Sequence, residues 1–474
     1  MVLGIILSLA LLTYIAYRGY SVILFAPVCA LLAAVLTKGV PLLPTYSEVF
    51  MGKAMGFAKS YFPLFLLGAV FGKVMEETGL AQTIAHWIMM KIGKKGTILA
   101  VVLACGILGY GGVSVFVIVF AVYPLGAALF READIPKRLL PAAIALGSFT
   151  FAMTALPGTP QIQNLIPAKY FGTDAYAAPV LGTIAGLCMF VFGMMWLEYR
   201  KNKLVAAGEG YGEGHKNEPD IKLQEIQEAD GGGSTAQVAT GEKHIILALL
   251  PLLTVLVGNF VLTKYIQSWD PAFLEPYGVK LASVAAIWAL LISVVLGIVI
   301  AMLIGWRKIN SEEKLIKALT AGVAGSLLAI MNTASEVGYG SVISSLEGFK
   351  KVADFMMGID FGTPLVSEAI TVNVLAGITG SASGGMSIAL EAMGAQYLQW
   401  ANAVGLSPEL LHKVASLSSG GFDSLPHNGA IITLLAITGL SHKQSYSDIG
   451  MVSVLIPFAS TFLIIILSTM FGAI

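Results

Sequence analysis

The sequence predicts an all-α polytopic membrane protein, with about ten transmembrane helices and two re-entrant hairpins arranged as an inverted repeat. Three observations carry this. Of the 474 residues, 56% are hydrophobic and only 12% charged, with mean hydropathy +0.81, whereas a soluble domain carries about 25% charged residues. Apolar runs of near-spanning length recur along the whole chain. One such run, 408–440, is broken at its centre by Gly420-Gly421-Phe422-Asp423-Ser424-Leu425-Pro426-His427-Asn428-Gly429. Its flanks, 410–417 and 430–440, are each too short to cross alone, since a crossing helix needs about 20 residues. Irregular backbone at that depth has to face protein or a wet cavity. An Asp and a His inside a span are functional candidates by default. The competing reading makes 410–429 a surface loop between two short helices, against the apolar content of both flanks.

A second copy of the pattern stands in the first half. The run 138–169 is broken by Leu156-Pro157-Gly158-Thr159-Pro160. Placing Leu156-Pro157 on Leu425-Pro426 brings other features into order. Ile135-Pro136 answers Ser407-Pro408, Gly109–Ser114 answers Gly380–Gly385, and Glu77-Thr78-Gly79 answers Glu336-Val337-Gly338. Four matches in one order indicate a duplicated unit, 1–200 and 244–474. Paired Gly/Pro-interrupted segments in two halves point to the binding site of a secondary transporter.

Element by element, the first half reads as spans 3–17, 21–37 and 61–75, then an amphipathic interfacial helix at 80–92 with Lys91, Lys94 and Lys95 at its end. Next come a hairpin at 97–130 around Gly109–Gly112, the broken helix 138–169, and a span 177–196. Residues 201–243, with Gly231-Gly232-Gly233-Ser234-Thr235, read as a flexible cytoplasmic linker, disordered in large part. The second half repeats the order with spans 244–263, 281–306 and 315–331, an interfacial stretch at 342–357, a hairpin at 363–397, the broken helix 408–440 and a span 449–471. Five crossings plus a hairpin per half put the halves in opposite orientations. With both termini outside, eighteen Lys and Arg fall in cytoplasmic segments and nine outside, Lys413 among the nine; the positive-inside rule favours that orientation.

Other classes are excluded or left without support. The net charge of zero gives no field for nucleic acid. Cys29, Cys105 and Cys188 lie in apolar runs and form neither a disulfide framework nor a metal spacing. Neither a metal nor a cofactor is expected. The apolar start lacks a basic n-region, so 3–17 reads as a span and not a cleaved signal.

The site chemistry follows from the breaks. Hairpin tips and broken spans create half-helix N-termini deep in the membrane, whose free N–H groups and positive dipole ends attract anions. Thr159-Pro160 reads as one N-cap with Pro in the first turn, and Asn428 as another. Gly111, Gly112 and Gly384 let backbone approach a ligand. Ser114, Thr154, Thr159, Ser381, Ser383, Ser424 and Asn428 supply neutral hydrogen bonds, with Pro157 and Gly158 shaping the first break. No Arg or Lys lies within either motif, so dipoles and hydroxyls would hold a carboxylate. Asp423 or His427 could carry a proton, and Asp423 could equally hold sodium with backbone carbonyls. In the plainer reading Asp423 caps a helix and His427 satisfies a buried hydrogen bond. Glu77 and Glu336 read as interfacial, and Glu368 and Glu391 as paired or wet. His86, His215, His244, His412 and His442 read as interfacial or solvated.

On the residues Gly109–Ser114, Ala155-Leu156-Pro157-Gly158-Thr159-Pro160 and 417–429, the chain resembles the gluconate:proton symporter family within the ion transporter superfamily. The resemblance spans nearly the whole chain. It implies a bacterial inner-membrane importer of a small organic anion by proton symport, with a dimerising scaffold and a transport domain that slides as an elevator. Gly158-Thr159 stand where the family carries a His in the first break, and the second break also departs from its pattern. Short-chain hydroxy acids such as 3-hydroxybutyrate therefore stand beside gluconate. Sodium-coupled carboxylate symport is the alternative, and a channel or a membrane-embedded enzyme using Asp423 and His427 as acid and base are the competing classes. A channel needs a continuous polar pore, and an enzyme has no need of a duplicated break.

Overall fold

The computed structural model describes residues 2–18, 20–37, 39–93, 96–113, 115–217, 242–278, 281–309, 312–349, 351, 354–355, 358–359, 363–426 and 428–471. Among them every element is helical. Two predicted site residues, Ser114 and His427, lie outside the described residues, as do 218–241 of the linker and part of the 342–357 stretch.

The chain opens with α1 (Val2–Tyr17) and α2 (Val22–Val35). The long α3 (Leu42–Glu77) follows, then α4 (Leu80–Ile92), α5 (Thr97–Tyr110) and α6 (Val115–Glu132). The first broken helix comprises α7 (Leu140–Ser148), a π turn at Phe151–Ala155, a 3-10 turn at Ile162–Asn164 and the short α8 (Ile166–Phe171). Then come α9 (Pro179–Ala206), α10 (Glu242–Gln267), α11 (Leu281–Ile304) and α12 (Glu312–Ser345). The second hairpin is α13 (Pro364–Thr379) and α14 (Ala382–Ala403), and the second broken helix is α15 (Pro408–Ser419) and α16 (Gly429–Thr438). The described chain closes with α17 (His442–Gly450), a π turn at Met451–Leu455 and α18 (Ile456–Phe471).

Seven helical runs among the described residues are long and apolar enough to cross a membrane: Leu42–Glu77, Lys137–Ala155, Pro179–Ala206, His244–Gln267, Ile287–Ile304, Leu315–Ser345 and His442–Met470. Shorter apolar helices, including Thr97–Tyr110 and Pro364–Thr379 in the hairpins, accompany them.

Several expectations need correction. The span read at 61–75 is the second half of a helix that starts at Leu42. Its first half carries Glu48, Lys53, Lys59 and Ser60, so hydropathy alone starts the span too late. The helix 80–92 is not an interfacial amphipath lying free. Ala81, Ile84, Ala85 and Ile88 are buried, as is His86, because the helix packs against α5 and α6. The linker begins later than expected. Helix α9 runs to Ala206, and residues up to 217 are pinned to the protein. Asp134 accepts the Tyr211 N–H (2.8 Å), and Asn217 Nδ2 donates to the Ala436 carbonyl (2.7 Å).

Helices α3 and α12 pack along much of their length, at a distance set by small residues. A Cβ at Gly322 would stand 2.8 Å from Val70 Cα, and one at Gly338 2.9 Å from the Phe50 carbonyl. Close backbone approach through small residues is how membrane helices gain packing energy without a hydrophobic drive.

One buried ion pair ties α9 to α17. Arg200 Nε and Nη2 donate to the two carboxylate oxygens of Asp448 (2.6 and 3.2 Å), and Trp196 Nε1 donates to the same group (3.1 Å). Asp448 is fully buried. Arg200→Ala therefore strands a buried carboxylate, with an expected cost of about 3–5 kcal/mol. A fall in the melting temperature of the purified protein checks it; Lys at the same position should recover only part, since it cannot make the bidentate pair.

Candidate functional site

Each hairpin tip is hydrogen-bonded to the break of its own half. At the first tip, Tyr110 Oη donates to the Pro157 carbonyl (2.8 Å), and Gln161 Nε2 donates to the Gly109 carbonyl (2.8 Å). Gly112 turns with φ +90°, and a Cβ there would stand 2.9 Å from Pro160 Cγ. At the second tip, Asn428 Nδ2 donates to the Gly380 carbonyl (2.9 Å). Ser381 Oγ accepts the Gly384 N–H (3.0 Å) and so caps α14.

The two breaks differ in their caps. Asn428 Oδ1 accepts the N–H groups of Ala430 (2.7 Å) and Ile431 (3.0 Å), so it caps α16. Thr159 does not cap. Its hydroxyl donates back to the Ala152 carbonyl (2.9 Å), and the 3-10 turn that follows starts after Gln161 with no side-chain cap. The reason is local: the π turn leaves the Ala152 carbonyl within reach of a short hydroxyl, and the next helical turn begins only after Gln161. Gly158, at φ +77°, donates its N–H to the Ala175 carbonyl (2.8 Å).

The breaks cross each other. Ser416 Oγ donates to the Thr154 carbonyl (2.8 Å), and Thr154 Oγ1 donates to the Thr150 carbonyl (3.2 Å). A Cβ at Gly420 would stand 2.7 Å from the Thr154 methyl. On the second break Asp423 is buried, and Ser424 Oγ donates to its Oδ1 (3.1 Å). Tyr446 Oη holds the Ser424 carbonyl (3.0 Å). Nearby, Asn373 Oδ1 faces Gly421 and has no hydrogen-bond partner among the described residues; neither has Ser418 Oγ.

Four ionisable side chains were misplaced. Lys413, assigned outside, is fully buried on α15, which removes it from the outside count. Its ammonium donates to the Ala155 carbonyl (3.2 Å) and to Asn164 Oδ1 (3.3 Å), so a cation does sit in the first break. His412 is buried as well, bonded to Thr173 Oγ1 (2.6 Å) and the Asn164 carbonyl (3.1 Å). Glu336 is buried within α12 and not interfacial; its Oε2 has no partner among the described residues and lies against Gly384 at the second tip. Both oxygens of Glu368 are buried without a partner among the described residues, whereas Glu391 pairs with Lys53 (3.0 Å) and Tyr170 Oη (3.1 Å). Hydropathy weighs residues one at a time, so it places such groups at the nearest span end.

A cavity of about 470 Å³ lies between the tips, the first break and the paired helices α3 and α12. Its walls include Gly112 of the first tip, Ser383 of the second, Met153 and Pro160–Gln163 of the break, and Gly322, Gly325, Ser326 and Ala329 of α12. Gln161, Gln163, Ser326 and Lys73 are polar wall residues that sequence reasoning passed over. Lys73 is shared with Glu76 (3.0 Å) and Glu77 (3.4 Å). The pair Gln161 and Gln163, directly after the Pro-rich break, was the available signal. Asp423, Thr159 and Asn428 are not among the cavity walls. The arrangement can offer amide and hydroxyl groups to a small polar ligand, with one ammonium at the edge.

Because Asn428 joins the cap of α16 to the second tip, Asn428→Leu loses three hydrogen bonds at once. The cap alone is worth about 0.5–2 kcal/mol. The expected result is a lower melting temperature and loss of ligand affinity; Asn428→Asp, which keeps the cap acceptor, should retain most of the stability.

No family model matches the chain. It is 48% identical over 478 aligned positions to the uncharacterized transporter YxjC of Bacillus subtilis, covering 99% of this chain and 98% of that one. An uncharacterized transporter of Haemophilus influenzae is 27% identical over 215 residues, 45% of this chain and 48% of its own. Among solved structures, the YdaH transporter of Alcanivorax borkumensis superposes with TM-score 0.57 at 14% identity, over 98% of this chain and 99% of that one. MtrF of Neisseria gonorrhoeae, described as illuminating a class of antimetabolite efflux pumps, superposes with TM-score 0.56 at 14% identity, over 93% of each chain. These two share the fold. What the comparisons support is a transporter, and not membership of the gluconate permeases. The chain belongs to the family of the Bacillus subtilis transporter YxjC and is a multi-pass membrane transporter, not an enzyme.

Proposed function

We propose that the protein is a secondary active carrier that moves a small organic anion, a hydroxy acid such as gluconate or 3-hydroxybutyrate, in symport with a proton. The cavity between Gly112, Ser383, Gln161 and the α3–α12 pair carries the reading. It is bounded by both hairpin tips, so a ligand there is sensed by both halves at once. Its hydrogen-bonding groups suit a hydroxylated anion that must also be released. Gly111, Thr154, Pro157, Gly158, Thr159, Ser381, Gly384, Ser424, His427 and Asn428 are assigned to the frame that shapes and closes this site. The coupling proton is assigned to the second break, at Asp423 or His427. The inverted repeat, the elevator motion, the homodimer, both termini outside and import come from the repeat pattern, the basic residues and the resemblance drawn above.

A second reading rests on a specific observation. Asn373 Oδ1 and Ser418 Oγ, both without a partner among the described residues, stand beside the break that holds Asp423. Oxygen ligands of that kind suit a hard cation, which favours sodium as the coupling ion. The efflux described for MtrF makes export the direction to be tested against import.

The test is uptake and release of labelled organic anions by proteoliposomes under an imposed pH gradient, with and without sodium. Accumulation driven by the pH gradient alone supports proton symport. Accumulation that ignores pH and needs sodium selects the second reading, and conversion of the anion to a product contradicts both.

A further inference from the structure

The two breaks hold ionisable groups of opposite sign. With Leu156-Pro157 placed on Leu425-Pro426, Asp423 of the second break corresponds to Thr154 of the first. The second break therefore holds a carboxylate where the first holds a hydroxyl. The first break instead receives a cation from its neighbour. Lys413 projects from α15, and its ammonium donates to the Ala155 carbonyl (3.2 Å) and Asn164 Oδ1 (3.3 Å). Ala155 is the last residue of the π turn, so its carbonyl belongs to the negative, oxygen-bearing end of an interrupted helix. In transporters that end of a half-helix, with unwound carbonyls, is where coupling cations are held.

The site around the ammonium is built for it. Lys413 is fully buried. Gly182 of α9 makes the room, since a Cβ there would stand 2.6 Å from the Ala155 oxygen and 3.1 Å from Lys413 Nζ. Both partners are neutral oxygens. The nearby titratable groups are committed elsewhere: Glu409 Oε2 accepts the Ala178 N–H (3.0 Å), and both His412 ring nitrogens are hydrogen-bonded. An ammonium deep in a membrane protein is expensive, and the Glu409 carboxylate favours it only by its charge, with no direct ion pair, so its retention asks for a reason beyond packing.

We propose that Lys413 is a tethered cation that permanently fills the ion position of the first break, so that the coupling cation loads at the second break alone. This rests on the carrier reading and deepens it by setting the number of free-cation sites at one. A free cation at the first break is repelled by the ammonium, while Asp423 attracts one at the second.

Two measurements test it. The first needs no transport. Purified full-length Lys413→Ala is melted in choline chloride, sodium chloride and propylammonium chloride, the last being the deleted side chain without its Cβ. The variant should melt below the wild type in choline and regain most of that loss in propylammonium, to which the wild type is indifferent. Should the variant not survive extraction, extraction is repeated in propylammonium: recovery of folded protein supports the assignment, and failure overturns it. Lys413→Met keeps the volume without the charge. It should cut uptake by about tenfold or more, from lost hydrogen bonds to a charged group. A Met variant that melts and transports like the wild type overturns the proposal. The second measurement is wild-type uptake against the concentration of the coupling cation. A single-site curve is expected, and a cooperative two-cation curve overturns the proposal. Absent uptake in the wild type counts against the carrier reading, and the propylammonium rescue still reads the role of Lys413.

Discussion

Gly385→Ala is expected to abolish uptake and to lower the melting temperature, while Gly429→Ala does neither. Gly385 sits in the first turn of α14, just past the second tip, where α13 and α14 run against each other. A Cβ on Gly385 would overlap the backbone of Ala376 and Leu375 on α13. Backbone cannot swing away as a side-chain end can, so the hairpin has to open. Overpacking of this kind costs about 1–3 kcal/mol or more. It also displaces Gly380, whose carbonyl receives Asn428 Nδ2, so the tip loses its tie to the second break. Gly384→Ala is the instructive neighbour. Its Cβ would overlap the Glu336 carboxylate, the far end of a flexible side chain. Combining it with Glu336→Ala should restore the fold, whereas no single partner substitution restores Gly385→Ala. At Gly429 nothing lies within 4 Å of a new Cβ. Melting curves and uptake for the four variants check the ranking.

Asp423→Asn is expected to abolish accumulation driven by the ion gradient and to keep exchange of substrate for substrate. An ionised, unpaired carboxylate at membrane depth costs about 2.5–3.5 kcal/mol on insertion scales. In the structure the described partner of Asp423 is the Ser424 hydroxyl, which is neutral. The unloaded carboxylate therefore opposes movement of its domain, and a bound proton or sodium removes the opposition. Asparagine has the shape of the loaded group without the charge. The variant should move whether or not an ion is present, which uncouples the gradient but not the exchange. Retained accumulation in Asp423→Asn moves the coupling to another group; His427→Gln is then the variant that should show the split.

The all-helical membrane fold and its interruptions were legible because apolar runs and Gly/Pro breaks are local signals. Gly109–Gly112 and Gly380–Gly385 turn where an apolar run must reverse, and at Leu156-Pro157 and Leu425-Pro426 the helical turn ends because Pro has no N–H to continue the ladder. Asn428 was legible as a cap because Asn before an apolar run is a local signal. What was not legible is long-range. Lys413 and His412 read as surface residues beside Ser407-Pro408, and only the crossing of the two breaks buries them. Glu336 reads as a span end because Gly338 follows it, whereas α12 continues to Ser345 and carries it to the second tip. The first half of α3 was missed because a helix held by tertiary packing need not be apolar throughout. Thr159 was misread because its hydroxyl had two local choices, cap or carbonyl, and the π turn decides between them.

Counterflow tests the central claim most directly. Proteoliposomes are preloaded with an unlabelled organic anion and diluted into a trace of the labelled one, with no ion gradient. An alternating carrier draws the label in transiently above its external concentration, and Asp423→Asn does the same. The account predicts that overshoot for both proteins, and its loss in Gly385→Ala. Label that only equilibrates in the wild type, with ionic current through the same vesicles, contradicts the account and identifies a channel.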